Sequence, residues 1–256
     1  MSGQVRWADH GHWAEVVLSN PAKFNAMSRS MWRQLRDVFE AAQTQSALRV
    51  VLLRGEGVHF CSGGDISEYP SFRFDEAALR DFHENEVWGG LSAILNVDVP
   101  VVADIRGNCM GAGVEIASCC DVRWAHVQAR FGAPIAKLGF PMAPREAALV
   151  GAAVGDMTAR EMLLLAQVLD ATTLLQRGFL NACDDTPALD ARCAEVVQSV
   201  LALSPQAARL NKQALRAWRA GLVPNAGPQA YAYAYANSLE HREGIAAFLD
   251  KRAARF

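Results

Sequence analysis

Hydrophobic and polar positions change period along this chain, and the changes predict strands and helices in turn. Trp13–Ser19 alternates enough for a strand, which Asn20-Pro21 ends, because proline cannot join a ladder and restricts the residue before it. After the loop Ala22–Met27, Ser28 is a good N-cap. The helix it opens runs to about Gln43, with Met31, Leu35, Val38, Phe39 and Ala42 on one face. Arg49–Arg54 and Val99–Ile105 hold continuous apolar runs, the pattern of parallel strands buried on both faces. Between them, 66–75 reads as a loop containing Pro70. A helix follows from Asp75 or Glu76 to about Asn96, polar first (Asp81, His83, Glu84, Glu86) and apolar later (Leu91, Ile94, Leu95). Asp121–Ala125 reads as a short strand, Phe131–Pro134 as a loop, and Leu138–Pro144 as a two-proline segment stiff enough for a pocket wall. Near residue 155 the pattern turns almost wholly helical: 145–153, Thr158–Gln167, Thr172–Arg177, 187–203, Ser204–Ala220, and a last helix from Asn237 or Ser238 to about Arg252. Gly221–Pro228 reads as a hinge between terminal helices. The sum is an α/β core with a helical C-terminal subdomain.

Two strand ends run into small-residue turns. The first is Phe60-Cys61-Ser62-Gly63-Gly64-Asp65; the second is Asn108-Cys109-Met110-Gly111-Ala112-Gly113-Val114-Glu115-Ile116, which opens a helix. The first N–H groups of a helix have no partner within it, and its dipole favours negative charge there. Two such turns could offer two N–H donors to one oxygen, with Glu115 beside it for proton chemistry. Alternatively, Gly111 and Gly113 only permit close packing and Glu115 only balances the dipole. His83, Glu84 and Glu86 face either a pocket or solvent. Pattern alone does not choose.

Composition narrows the function classes. Net charge is −2 with 20 % charged residues and no basic block, which argues against nucleic acid as a main partner. No run approaches the ~18 apolar residues of a membrane span, and Met1–His12 lacks the apolar core of a signal peptide. The six cysteines (61, 109, 119, 120, 183, 193) form no C-x-x-C pair and read as reduced, structural thiols, with no metal expected and a cytoplasmic location.

Four segments in this order resemble the crotonase (enoyl-CoA hydratase/isomerase) superfamily: Asn20–Met27, Phe60–Asp65, Val99 through Glu115 to Asp121, and Glu243–Arg252. The resemblance spans nearly the whole chain. It implies a crotonase-like spiral of ββα units over residues 1–200, a helical trimerisation subdomain over 201–256, a homotrimer or dimer of trimers, and an acyl-CoA thioester as substrate. Coenzyme A would be carried as part of that substrate, with no separate cofactor. The resemblance places two oxyanion-hole N–H groups on Ser62 and Ala112, with Glu115 as acid/base. It places Ala22, Lys23 and Ala26 along the CoA site, Asp65 and Ile66 beside the adenine pocket, and Phe248 and Lys251 where C-terminal residues reach CoA, sometimes in a neighbouring subunit. Donors at the thioester oxygen stabilise an enolate more than the ground state, and each is worth ~3 kcal/mol of barrier.

The sequence departs from the pattern at one chemical position. A hydratase of this family uses two glutamates, and the second falls here on Ile135. Met142-Ala143-Pro144-Arg145-Glu146 replaces a glycine-rich run. Ile135 moves no proton, and a dry wall there should raise the pKa of Glu115. Beside hydration, isomerase, hydrolase, decarboxylase or C–C lyase chemistry, or a catalytically decayed CoA-ester binder, stand as alternatives. Glu146, Glu84, Glu86 and His83 are the candidates for a second group.

Overall fold

The structure, a computed structural model, describes residues 3–219, 221 and 233–256. The proposed hinge at Gly221–Pro228 therefore lies, apart from Gly221, outside the described residues.

The sheet expected from the two apolar runs is present and larger. β1 (Gln4–Asp9) and β2 (Trp13–Ser19) form an antiparallel pair. β3 (Val50–Gly55), β4 (Val101–Ile105), β6 (Val122–His126) and β9 (Ala182–Asp184) then add in parallel, giving the order β1-β2-β3-β4-β6-β9. A second sheet orders β5 (Asn108–Met110), β7 (Arg130–Gly132) and β8 (Val168–Asp170). β1 and the short β5, β7, β8 and β9 do not read as strands in the sequence, and Phe131-Gly132, read there as loop, lies in β7 because it pairs with β5 and β8.

β3 and β4 read as continuous apolar runs because both their faces are covered. Val50, Leu52 and Val102 pack with Leu189, Cys193 and Val197 of α8 (Thr186–Leu201). Val51, Leu53, Val101 and Ala103 belong to the main core on the other face. That core also takes Met31, Trp32, Leu35 and Phe39 of α1 (Arg29–Thr44), whose N-cap Ser28 accepts from Met31 N–H at 3.2 Å.

The helix expected over 76–96 is three joined pieces: α2 (Glu76–Asp81), a π-helical turn (Phe82–Val87) and α3 (Trp88–Asn96). α4 is Ala112–Cys119, and α5 (Pro144–Val154), α6 (Asp156–Leu164) and α7 (Ala171–Gln176) follow. Ile66–Ser71, read from sequence as loop, is a 3₁₀ turn.

The C-terminal helices are α9 (Pro205–Arg219) and α10 (Leu239–Leu249). α9 is held to the core by polar contacts. Arg209, Lys212 and Arg216 share one helix face and donate to carbonyls of Leu48, Val99 and Asn96 at 2.8, 2.8 and 2.7 Å. Lys212 also pairs with Asp121 at 2.6 Å, so this buried ammonium is compensated.

Candidate active site

The site forms where the two small-residue turns meet. The Phe60–Asp65 loop is fastened on one side to β5, with Cys61 N–H donating to Asn108 O (2.9 Å) and Met110 N–H to Cys61 O (2.8 Å). On its other side Met27 N–H donates to Gly63 O and Asp65 N–H to Met27 O, both at 2.8 Å. Gly111 turns the chain into α4 with φ +46°, which favours glycine. Gly113 has a separate task, since a Cβ there would lie 2.7 Å from Cys61 O. One glycine serves the turn and the other lets α4 lie against the loop, so packing and site construction are the same device.

On the family resemblance the Ser62 N–H turns into the site. It does not: Ser62 N–H donates to Phe24 O at 3.0 Å, and its hydroxyl donates to Lys23 O at 2.8 Å. In extended backbone, successive N–H groups point to opposite sides. Asp65 N–H faces Met27, so Gly64 N–H faces away from it, and no protein acceptor is assigned to Gly64 N–H among the described residues. Ala112 is the first residue of α4, where N–H groups lack helical partners. Ser62, Gly63, Gly64, Gly111 and Ala112 line one cavity of about 350 Å³ together with Glu115, Ile135, His83 and Glu146, so Ser62 borders the site although its N–H is turned away.

Two carboxyls enter this cavity. Glu115, one turn into α4, is 7 % exposed. Glu146, in the first turn of α5, is 3 % exposed. Burial first, and the neighbouring Glu146 second, push the Glu115 carboxyl well above the ordinary glutamate range. Glu146 is hydrogen-bonded to His83 Nδ1 at 2.7 Å. His83 Nε2 lies 3.4 Å from Arg73 Nη1, and an arginine only donates. Nε2 is therefore the acceptor, and the proton on Nδ1 points at Glu146. The π-helical turn carries His83 to this position, and such turns often occur at functional sites.

The other polar candidates divide cleanly. Glu86 is held by Arg29 and Arg33 at 2.7 and 2.8 Å, and Glu84 pairs with Arg145 at 2.9 Å on the surface. Neither lines the cavity. Asp65 is committed to Lys23 (2.6 Å) and to the N–H of Ser67 (3.2 Å). Burial opposes its charge, but these hydrogen bonds outweigh it and keep its carboxyl below the usual value. Ala22 and Lys23 are exposed on the adjoining loop and Ala26 is buried within it. Ile66 lines the cavity at its exposed edge. Phe248 and Lys251 are exposed at and just beyond the end of α10, and neither lines the cavity. Tyr69 and Arg73 also line it, and nothing in the sequence marked them, because they sit in and just after a stretch that reads as loop.

Among the described residues no helix is long and apolar enough to cross a membrane, and no cluster of three or more metal-ligating side chains occurs.

The family model for enoyl-CoA hydratase/isomerase matches residues 10–256. The chain is 30 % identical over 246 residues to a 2,3-dehydroadipyl-CoA hydratase of Escherichia coli, covering 94 % of this chain and 93 % of that one. It is 27 % identical over 245 residues to a short-chain-enoyl-CoA hydratase of Clostridium acetobutylicum, covering 94 % and 93 %. Among solved structures it is similar to an enoyl-CoA hydratase/carnithine racemase from Magnetospirillum magneticum, with TM-score 0.91, 30 % identity and coverage of 98 % and 94 %. A putative enoyl-CoA hydratase/isomerase family protein from Hyphomonas neptunium gives TM-score 0.91 at 27 % identity, covering 98 % and 97 %. The fold is thus the crotonase fold, and the chain belongs to the enoyl-CoA hydratase/isomerase family as an enzyme of that type.

Proposed function

We propose that this enzyme adds water across the C=C bond of a 2-enoyl-CoA thioester. The observation that carries the reading is Glu146. It brings a second buried carboxyl into the cavity of Glu115 from α5, not from the Ile135 position. The thioester oxygen would sit between the N–H groups of Gly64 and Ala112, where both loops face one cavity. Fixed donors there stabilise the enolate oxygen more than the ground-state carbonyl.

The two carboxyls then divide the proton work. Glu146, held by the Nδ1–H of His83, is the base: as the water oxygen bonds to the β carbon, one water proton passes to Glu146. The π electrons move to the α carbon and thioester oxygen. Burial first and Glu146 second raise the Glu115 pKa and so favour its protonated form, from which it delivers a proton to the α carbon. Exchange with solvent resets both groups. Coenzyme A enters as part of the substrate, and no separate cofactor has a task.

The C-terminal helices support the assembly that the family resemblance implies. Leu215 and Trp218 on α9, and Leu239, Ile245, Phe248 and Leu249 on α10, are large apolar residues left more than half exposed. In a trimer they would be covered, and Phe248 and Lys251 could meet a neighbour's CoA. Light scattering after gel filtration tests this, and a monomer at micromolar concentration would contradict it.

The functional test is mass spectrometry of products from a panel of 2-enoyl-CoA esters. Wild type should add one water, while Glu115→Gln should bind the esters and leave them unchanged. Full activity in Glu115→Gln would overturn the assignment, and loss of an acyl or carboxyl group in place of hydration would redirect it to hydrolysis or decarboxylation.

A further inference from the structure

The cavity wall carries a cation that hydration does not use. Arg73 follows the 3₁₀ turn Ile66–Ser71, and its guanidinium lies over Phe140 at 3.7 Å and over Tyr69 at 4.7 Å from the ring centres. Aromatic faces fix such a group without consuming its in-plane donors. A guanidinium has five N–H donors. One of Arg73's points at His83 Nε2. Among the described residues no carboxylate is paired with Arg73, whereas Arg29, Arg106 and Arg216 each have one within 3.0 Å. The Glu146 carboxylate is reached only through the intervening His83 ring. Arg73 is half-buried, so its unused donors are partly withdrawn from water without a counter-charge.

Its place along the substrate path matters as much. Gly64, Ala112, Glu115 and Glu146 line only the 350 Å³ cavity. Tyr69, Arg73, His83 and Phe140 line both that cavity and an adjoining one of about 500 Å³. A thioester held at Gly64 and Ala112 puts its reacting carbons beside the carboxyls. The rest of the acyl chain then runs past His83 to the guanidinium. Lys137, also without an assigned ion pair among the described residues, lines the same first cavity. We infer that the acyl group taken by this enzyme ends in a carboxylate, which the Arg73 guanidinium binds at the junction of the two cavities. The inference rests on the thioester site proposed above. A methyl-ended chain of equal length would cover Arg73 with apolar surface and leave its charge uncompensated. A terminal carboxylate supplies the bidentate partner that arginine geometry suits.

Equilibrium binding of saturated CoA esters, which cannot be hydrated, isolates this contact. Titration calorimetry would compare succinyl-CoA with butyryl-CoA, glutaryl-CoA with valeryl-CoA, and adipyl-CoA with hexanoyl-CoA. For at least one length, wild type should bind the carboxylate-ended ester on the order of tenfold to a hundredfold more tightly. Arg73→Gln should abolish that ratio while keeping affinity for the methyl-ended member, and Arg73→Lys should retain part of it. Equal or better binding of the methyl-ended ester at every length overturns the inference but leaves the thioester site standing. Equal weakening of both members by Arg73→Gln also overturns it, by assigning Arg73 to the support of His83. No binding of any ester refutes the thioester site and the inference together.

Discussion

Replacing Gly113 by alanine separates a packing account of α4 from a propensity account. Gly→Ala in an exposed helix interior is worth about 1 kcal/mol of added stability. Here the new methyl would stand 2.7 Å from Cys61 O and 3.1 Å from Cys61 Cβ, against backbone that cannot swing away. Overpacking of that kind costs about 1–3 kcal/mol. After the helical gain, the variant should lose roughly 0–2 kcal/mol in urea denaturation. Activity should suffer more than stability. Cys61 is tied to β5, so the clash is relieved by moving α4 from the loop, which carries Ala112 N–H away from Gly64 N–H. Misplacement of about 1 Å at a reacting centre costs on the order of a hundredfold in rate. Urea midpoints and crotonyl-CoA hydration rates read the two effects. A variant more stable by about 1 kcal/mol with unchanged kcat/KM would refute the close contact of α4 with this loop.

Three further outcomes follow from the same geometry. Ile135→Glu should not raise hydration, because Glu146 already supplies the second carboxyl; it adds a third acid to the cavity and should lower the melting temperature, and a faster enzyme would show that the Ile135 wall limits the reaction. Glu115→Gln should change the pH dependence of stability: the folded-state pKa of Glu115 is raised above its unfolded value, so its stabilising proton is fully present below pH ~4 and lost as pH rises through the folded value. Relative to wild type, the Gln variant should therefore gain in thermal stability as pH rises from about 4 towards the folded value of Glu115, and parallel melting curves at all pH values would contradict a raised Glu115. His83→Gln should lower kcat by about tenfold to a hundredfold with little change in KM, since it loosens the base without touching the thioester donors; an unchanged kcat would remove His83 from the site.

Much of this was legible in the chain. β3 and β4 were visible because burial on both faces leaves an unbroken apolar run, and α1 because one face must be apolar and Ser28 must cap it. The two turns were visible because close approach of α4 to the Cys61 carbonyl demands glycine at 113. The direction of an N–H was not visible. Whether the N–H of Ser62 or that of Gly64 turns into the cavity depends on which carbonyls the loop meets, and Phe24 and Met27 lie far off in sequence. Glu146 could be nominated but not placed, because its approach to Glu115 is set by the packing of α5 and by a π-helical turn that shifts His83 by a residue. That turn leaves no mark in a helical pattern that runs on through it. Arg73 was missed outright, as periodicity says nothing about a side chain just past a 3₁₀ turn.

The central claim is that Glu146 replaces the carboxyl absent at position 135. It is tested most directly by the hydration rate of Glu146→Gln, measured beside its affinity for a saturated acyl-CoA. In Glu146→Gln kcat should fall by about 10²–10⁴, with ester binding retained and Glu115-dependent exchange of α protons with heavy water still detectable. Hydration at the wild-type rate in Glu146→Gln would contradict it and leave Glu115 to act without a second carboxyl.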